Sequence, residues 1–262
     1  MSINSYFKYS PIYRDDRLDE EYSIINLLAS QVTFSTRNNF NDPFDSTLDY
    51  VMPTTEELEQ ACEQLTGDER IEFSRLYLGA KAQKVLEMQI QKLNQRFERY
   101  MYYCVSAKPD SNLMWSHYAS SHTGFCIEWD AGKLTAEKVE YQENITRIRL
   151  FELISQAYGL SDGIPIAKLI KKAFHTKLLE WEYEAEYRFM FGIDSMESLV
   201  VKREKDFALV LYQPEWIKSI IWGCKTSDRA KTFIKENMPF SVKFKQAVAG
   251  MSSIYIQDEE VI

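Results

Sequence analysis

The stretch Tyr100-Met101-Tyr102-Tyr103-Cys104-Val105-Ser106-Ala107-Lys108-Pro109-Asp110-Ser111-Asn112-Leu113-Met114-Trp115-Ser116-His117-Tyr118-Ala119-Ser120-Ser121-His122-Thr123-Gly124-Phe125-Cys126-Ile127-Glu128-Trp129 alternates between strand-like and helix-like composition. Tyr100 to Ser106 is aromatic and β-branched, the composition of a strand. Lys108 to Ser111 is a turn, because proline presets φ and Asp and Ser bond nearby backbone. Asn112 to Ser120 reads as a short helix, Gly124 breaks it, and Phe125 to Trp129 reads as a second strand.

Upstream of this stretch, Tyr6 to Tyr9 reads as a strand. Asp19 to Ser30 reads as a helix, with Tyr22, Ile25 and Leu28 at helical spacing. Gln31 to Ser35 reads as a strand, and the Asn, Asp and Pro of Thr36 to Asp45 make a structured loop. Val51 to Tyr100 reads as a helical insertion. It opens on a Thr54/Glu57 capping box, is divided at Gly67 and Asp68, and continues with Leu86, Ile90, Leu93 and Phe97 on one face. Downstream, Lys138 to Tyr141 is a short strand, and Thr146 to Tyr158 and Ile166 to Leu179 are helices. Strands follow at Glu184 to Gly192, Phe207 to Tyr212, Ile217 to Trp222 and Val242 to Val248, interrupted by a capped helix at Ser227 to Asn237. This mixed order predicts a single α+β domain over 1–262, with a mainly antiparallel sheet core and an inserted helical hairpin or lobe at about 51–100.

A chain of 262 residues with 45% hydrophobic and 27% charged residues is a folded protein, not a disordered one. Its net charge of −8 excludes a whole-surface polyanion binder. Local basic grooves at Lys168, Lys171 and Lys172 or at Lys202, Arg203 and Lys205 leave nucleic acid open as a partner, although a solvated helix face and a charged loop are the better explanation. Cys62, Cys104, Cys126 and Cys224 form no CxxC pair. The opening residues lack a leader's basic and apolar runs, so reduced thiols and a cytoplasmic location are expected. No stretch approaches the ~20 apolar residues of a membrane span, so no membrane partner is expected.

Three constellations carry candidate chemistry. His117 and Tyr118 share a helical turn with Trp115, and imidazole moves protons near neutral pH; the plain alternative is a structural histidine beside a packed tryptophan. His117, His122 and Cys126 are poorly spaced for a metal, and no metal site is predicted. Glu182, Glu184, Glu186 and Arg188 would share one strand face, with Trp181, Tyr183, Ala185 and Tyr187 opposite. Arg188 and Lys177 could offset the repelling carboxylates. Glu184 and Glu186 would then serve as acid, base or hydroxyl anchor, or the whole face is solvated. Asn41 and Asp42, in Asn39 to Asp45, either orient a polar ligand at a rim or cap local backbone in Asx-turns. No GxGxxG, P-loop, GxSxG or HExxH pattern is present.

These stretches together resemble the bacterial domain-of-unknown-function family 2971. The resemblance lies in Phe7-Lys8-Tyr9, Val32 to Ser35, Phe40 to Asp45, Cys104 to Ser106, Met114 to Ala119, Gly124 to Glu128, and Lys177 through Trp181 to Arg188. A second likeness is to ADP-ribosyltransferases, through the order of Lys8-Tyr9, Phe34-Ser35-Thr36 and Glu184-Ala185-Glu186-Tyr187. It implies NAD as substrate, with Glu186 holding the nicotinamide ribose and Glu184 positioning the acceptor. Tyr9 or an aromatic near Trp115 would stack on nicotinamide, and Lys8 stands where that family carries His or Arg. Lys8, Tyr9, Ser35, Asn41, Asp42, Trp115, Tyr118 and Arg188 are the candidate binding residues; Glu186, Glu184 and His117 are the catalytic ones. The expected function is a toxin or phage-defence effector of this type, with an antitoxin or defence protein as partner. The alternatives are a non-catalytic module binding a nucleotide, nucleic acid or protein, and a nuclease-like hydrolase using His117 with Glu128 or Glu186.

Overall fold

The computed structural model describes residues 3–162, 166–192 and 198–259. In chain order its strands are β1 (Ser5–Ser10), β2 (Gln31–Ser35), β3 (Asp49–Val51), β4 (Tyr100–Ser106), β5 (Phe125–Asp130), β6 (Glu137–Lys138), β7 (Glu140–Gln142), β8 (Arg147–Arg149), β9 (Thr176–Leu178), β10 (Glu186–Gly192), β11 (Val200–Arg203), β12 (Phe207–Leu211), β13 (Ile217–Trp222), β14 (Lys243–Ala249) and β15 (Ile254–Asp258). The α-helices are α1 (Tyr22–Leu28), α2 (Thr55–Gln64), α3 (Gly67–Phe73), α4 (Ala82–Phe97), α5 (Asn112–Tyr118), α6 (Leu150–Ala157), α7 (Ile166–Phe174) and α8 (Asp228–Asn237). The protein is α+β with a mainly antiparallel sheet, and the chain divides into two compact units.

The first unit comprises Met1–Asn39, Met101–Val139 and Glu180–Ile262. Its sheet runs β11-β12-β2-β4-β1-β5-β13-β14-β15, with β10 on β4 and β6 on β10. β13 and β14 are parallel, which requires a crossover, and α8 supplies it. Ser227 caps α8 by accepting from Ala230 N at 3.0 Å. Phe7 lies opposite both Ser106 and Glu128. With a side-chain period of two, Phe7, Tyr9, Cys104, Ser106, Cys126 and Glu128 therefore share one face. Tyr6, Lys8, Tyr103, Val105, Ile127 and Trp129 take the other. The packing agrees: Met114, Trp115 and Ala119 from α5 and its end cover the Phe7 face, while Leu27 and Ile24 of α1 pack on the Tyr6 face. β10 follows the same rule. Tyr187 and Phe189 meet Tyr6 on one side, and Arg188 lies 5.8 Å from the Tyr102 ring on the other.

The second unit comprises Phe40–Tyr100 and Glu140–Leu179. Leu58, Ala61, Leu65, Phe73, Tyr77 and Leu86 pack with Ile154 in its larger core. The Thr54 capping box is formed. Two parallel pairs, β3 with β8 and β7 with β9, complete it.

Tertiary pairing overrides local helical pattern at two places. The helix expected from Thr146 starts at Leu150, because Arg147–Arg149 pairs with β3. The helix expected to reach Leu179 stops at Phe174, because Thr176–Leu178 pairs with β7. Gly67 opens α3, so the expected hairpin is three helices, with a wide π-type turn at Ser74–Leu78 before α4. β11 and β15 were not anticipated. Among the described residues no helix is long and apolar enough to cross a membrane.

Candidate functional site

The Glu-rich segment is not one strand. Leu179–Glu184 is a 3-10 helix, Ala185 has φ of 45°, and extended backbone begins at Glu186. The four side chains therefore do not line a single solvated face: Glu182 is exposed, while Glu184, Glu186 and Arg188 are buried. A left-handed alanine costs roughly 1–2 kcal/mol and persists only where its surroundings over-determine it. The end of β4 does so. Ser106 Oγ donates to Glu184 O at 2.6 Å, Ala107 N donates to Ala185 O at 2.9 Å, and Ala185 N donates to Glu182 O at 3.1 Å.

Each of the two carboxylates on either side of that strained residue accepts from a donor on the first unit. Tyr118 Oη donates to Glu184 Oε1, so the last turn of α5 meets the 3-10 helix. Arg188 makes a two-point pair with Glu186, Nε to Oε1 at 2.7 Å and Nη2 to Oε2 at 3.1 Å. Cys104 faces this pair from β4. Burial pushes its thiol well up, the Glu186 charge adds to the rise, and the Arg188 and Lys8 charges oppose it. A thiol raised in this way is a poor nucleophile.

Tyr118, Glu184, Glu186 and Arg188 are thus held on the first unit, and Tyr9 and Trp115 pack on the same sheet face. Tyr9 Oη donates to Lys108 O at 2.7 Å and its ring meets Trp115 edge-on at 5.0 Å. Trp115 Nε1 donates to Pro109 O at 2.8 Å, so both rings are committed to packing. Burial, then the charges of Cys126 and Asp110, raise the Tyr9 phenol, against a backbone N–H at Ser111. Lys8 projects to the opposite face, where its ammonium donates to Cys104 O at 3.0 Å and lies 4.8 Å from the Tyr103 ring. Ser35 sits opposite Tyr102 at the β2–β4 pairing. His117 is exposed, with the Tyr183 ring 6.1 Å away. Glu128 is occupied elsewhere: it accepts from Ser5 Oγ at 2.8 Å, from Ser219 Oγ and from Lys245 Nζ at 2.7 Å. Burial would raise its carboxyl, but these bonds and the Lys245 charge prevail and hold it low.

Asn41 and Asp42 belong to the second unit. Asp42 Oδ1 accepts from Phe44 N at 2.9 Å, the local Asx-turn, and Asn41 is exposed. Lys177 pairs with Asp45 at 3.5 Å, both buried. Among the described residues no three His, Cys, Asp or Glu side chains are placed to hold a metal.

His122 ends a run of three left-handed residues, with φ of 50° at Ser120, 54° at Ser121 and 74° at His122. Its Nδ1 is buried and has no hydrogen-bond partner among the described residues, although the ring as a whole is partly exposed. Burial, then the Lys225 charge, lowers it below the ordinary 6.5. The unfolded chain therefore binds this proton more readily than the folded one, and stability is lost as pH falls below about 6.5. His122→Asn keeps a residue tolerant of this backbone and removes the titration. Between pH 7.5 and 5.5, the wild-type Tm is expected to fall more than the variant's; parallel profiles would refute the assignment.

Sequence reasoning missed the anchoring role of Ser106 and the turn at Ala185. The available signal was a hydroxyl ending an otherwise aromatic strand; a left-handed alanine has none. No curated protein and no solved structure matches the chain. A family model matches residues 114–189, beginning downstream of Phe7-Lys8-Tyr9 and of Phe40 to Asp45. The matched segment contains Trp115, Tyr118, Glu184, Glu186 and Arg188, and the family is the one described as "Protein of unknown function (DUF2971)".

Proposed function

We propose that the chain is an enzyme that cleaves NAD, transferring ADP-ribose to an acceptor or to water through Glu184 and Glu186. The supporting observation is the pair of buried carboxylates flanking strained Ala185, one held by Tyr118 and the other by Arg188. Strain kept in place by the fold is a mark of functional sites. In the proposed reaction the ribose–nicotinamide bond breaks and its electron pair leaves with nicotinamide. A fixed carboxylate stabilises the positive charge developing on the ribose, which is binding gained only in the transition state. The acceptor oxygen then bonds to the ribose carbon and yields its proton to a carboxylate. Tyr118, donating to Glu184, orients it for this work. Lys8, on the other sheet face, has no part in this reading, and the aromatic partner for nicotinamide passes from Tyr9 to the partly exposed Trp181 and Tyr183. As a toxin or defence effector, such an enzyme would be restrained by a partner protein.

The test is nicotinamide release, followed by chromatography, from NAD incubated with the purified protein. Turnover is expected to fall at least about 100-fold in Glu184→Gln and in Glu186→Gln, and about 10-fold in Tyr118→Phe. A folded wild-type protein that neither binds NAD nor releases nicotinamide overturns the proposal.

A further inference from the structure

The other face of the sheet holds a cavity of about 290 Å³ that the proposed reaction does not use. Phe34, Tyr103, Trp129, Phe189, Tyr212 and Trp216 line it, together with aliphatic side chains of which Leu211 is exposed. All of these belong to the first unit. Tyr212 Oη has its hydrogen bond settled, donating to Leu27 O at 2.9 Å. Two further polar atoms do not. Tyr103 Oη and Trp129 Nε1 are buried, on residues 6% and 2% exposed, and neither has a hydrogen-bond partner among the described residues.

The two orphans are neighbours. The Tyr103 and Trp129 rings meet edge-on at 6.1 Å. Burial raises the Tyr103 phenol, and the nearby Trp129 indole N–H, directed at the phenol, acts against that rise, although the contact falls short of hydrogen-bond geometry. An indole N–H only donates, and a phenol can donate as well. A single acceptor oxygen between them would satisfy both. Ligand sites are largely apolar hollows with a few convergent polar groups, and this volume lies at the small end of their range.

We infer that this cavity is a binding site for a small, flat, mostly apolar molecule bearing a carbonyl oxygen, which Trp129 and Tyr103 hydrogen-bond together while the surrounding rings enclose its body. The site is distinct from the Glu184–Glu186 region. Alternation along β4 and β10 sends Tyr103 and Phe189 to one face and Cys104 and Arg188 to the other.

The experiment uses the full chain and two probes of nearly equal shape, 1-indanone and its carbonyl-free counterpart indane, titrated by ligand-observed NMR. 1-Indanone is expected to bind with Kd below about 1 mM, and indane about 10-fold more weakly, the effect of roughly one hydrogen bond. Tyr103→Phe removes only a hydroxyl and should narrow that preference; Trp129→Phe should narrow it further, with indane binding little changed. If Trp129→Phe fails to fold, Tyr103→Phe alone decides. Absence of binding by either probe, equal binding of both, or a preference unaltered in Tyr103→Phe would each overturn the inference, the first meaning that the hollow holds water only.

Discussion

Arg188→Met is expected to lower the free energy of unfolding by about 3–5 kcal/mol, the usual cost of removing one partner of a buried ion pair. Arg188 is 1% exposed and Glu186 4%, and their two-point pairing fixes both at the start of β10. Methionine approximates the arginine stem, so packing against Tyr102 survives better than it would in alanine. What is lost is the charge that offsets Glu186. The pair itself is not strongly stabilising, because taking two charges out of water consumes most of their attraction. Arg188→Met combined with Glu186→Leu should therefore recover most of what Arg188→Met loses. Urea unfolding of the wild type, both single variants and the double variant measures the coupling. Strictly additive losses would show that the two residues act independently. If Arg188→Met behaved like the wild type, buried-pair energetics would not apply here.

Why the antiparallel core was legible from the chain follows from its strands. β4, β5, β12 and β13 are built from aromatic and branched residues whose preference for extended backbone agrees with their tertiary role. The Thr54 and Ser227 caps were legible for the same reason, since side chain and backbone interact within one turn. Illegible were the features set by distant partners. Arg147–Arg149 pairs because Asp49–Val51 is beside it, and Leu179–Glu184 coils because Ser106 and Ala107 hold its end. The candidate site divides along the same line. Arg188 with Glu186 could be foreseen from their spacing, whereas Tyr118 with Glu184 joins residues far apart in the chain. Lys8 and Tyr9, adjacent in sequence and assigned together to binding, are separated by the simplest property of a strand, that neighbours point to opposite faces.

Gly124→Ala should be at least as damaging, with a loss of more than about 3 kcal/mol, because nothing near it can yield cheaply. A Cβ there would lie 2.1 Å from Ser10 O and 3.1 Å from both Ala119 O and Pro11 Cα, all backbone atoms. Gly124 N donates to Ala119 O at 2.9 Å, and its carbonyl accepts from Gly223 N at 3.0 Å and Thr226 Oγ at 2.6 Å. Backing away from Ser10 would break these bonds at the point where the left-handed turn enters β5. Gly67→Ala is the matched control. Gly67 has φ of 57° but open space around it, so its cost is conformational only, about 1–2 kcal/mol. Urea denaturation should rank Gly124→Ala well below Gly67→Ala in stability. Equal losses would mean that β1 and β5 can separate at Ser10 without penalty, and the register that places Tyr9 and Cys126 under α5 would not be the one the protein defends.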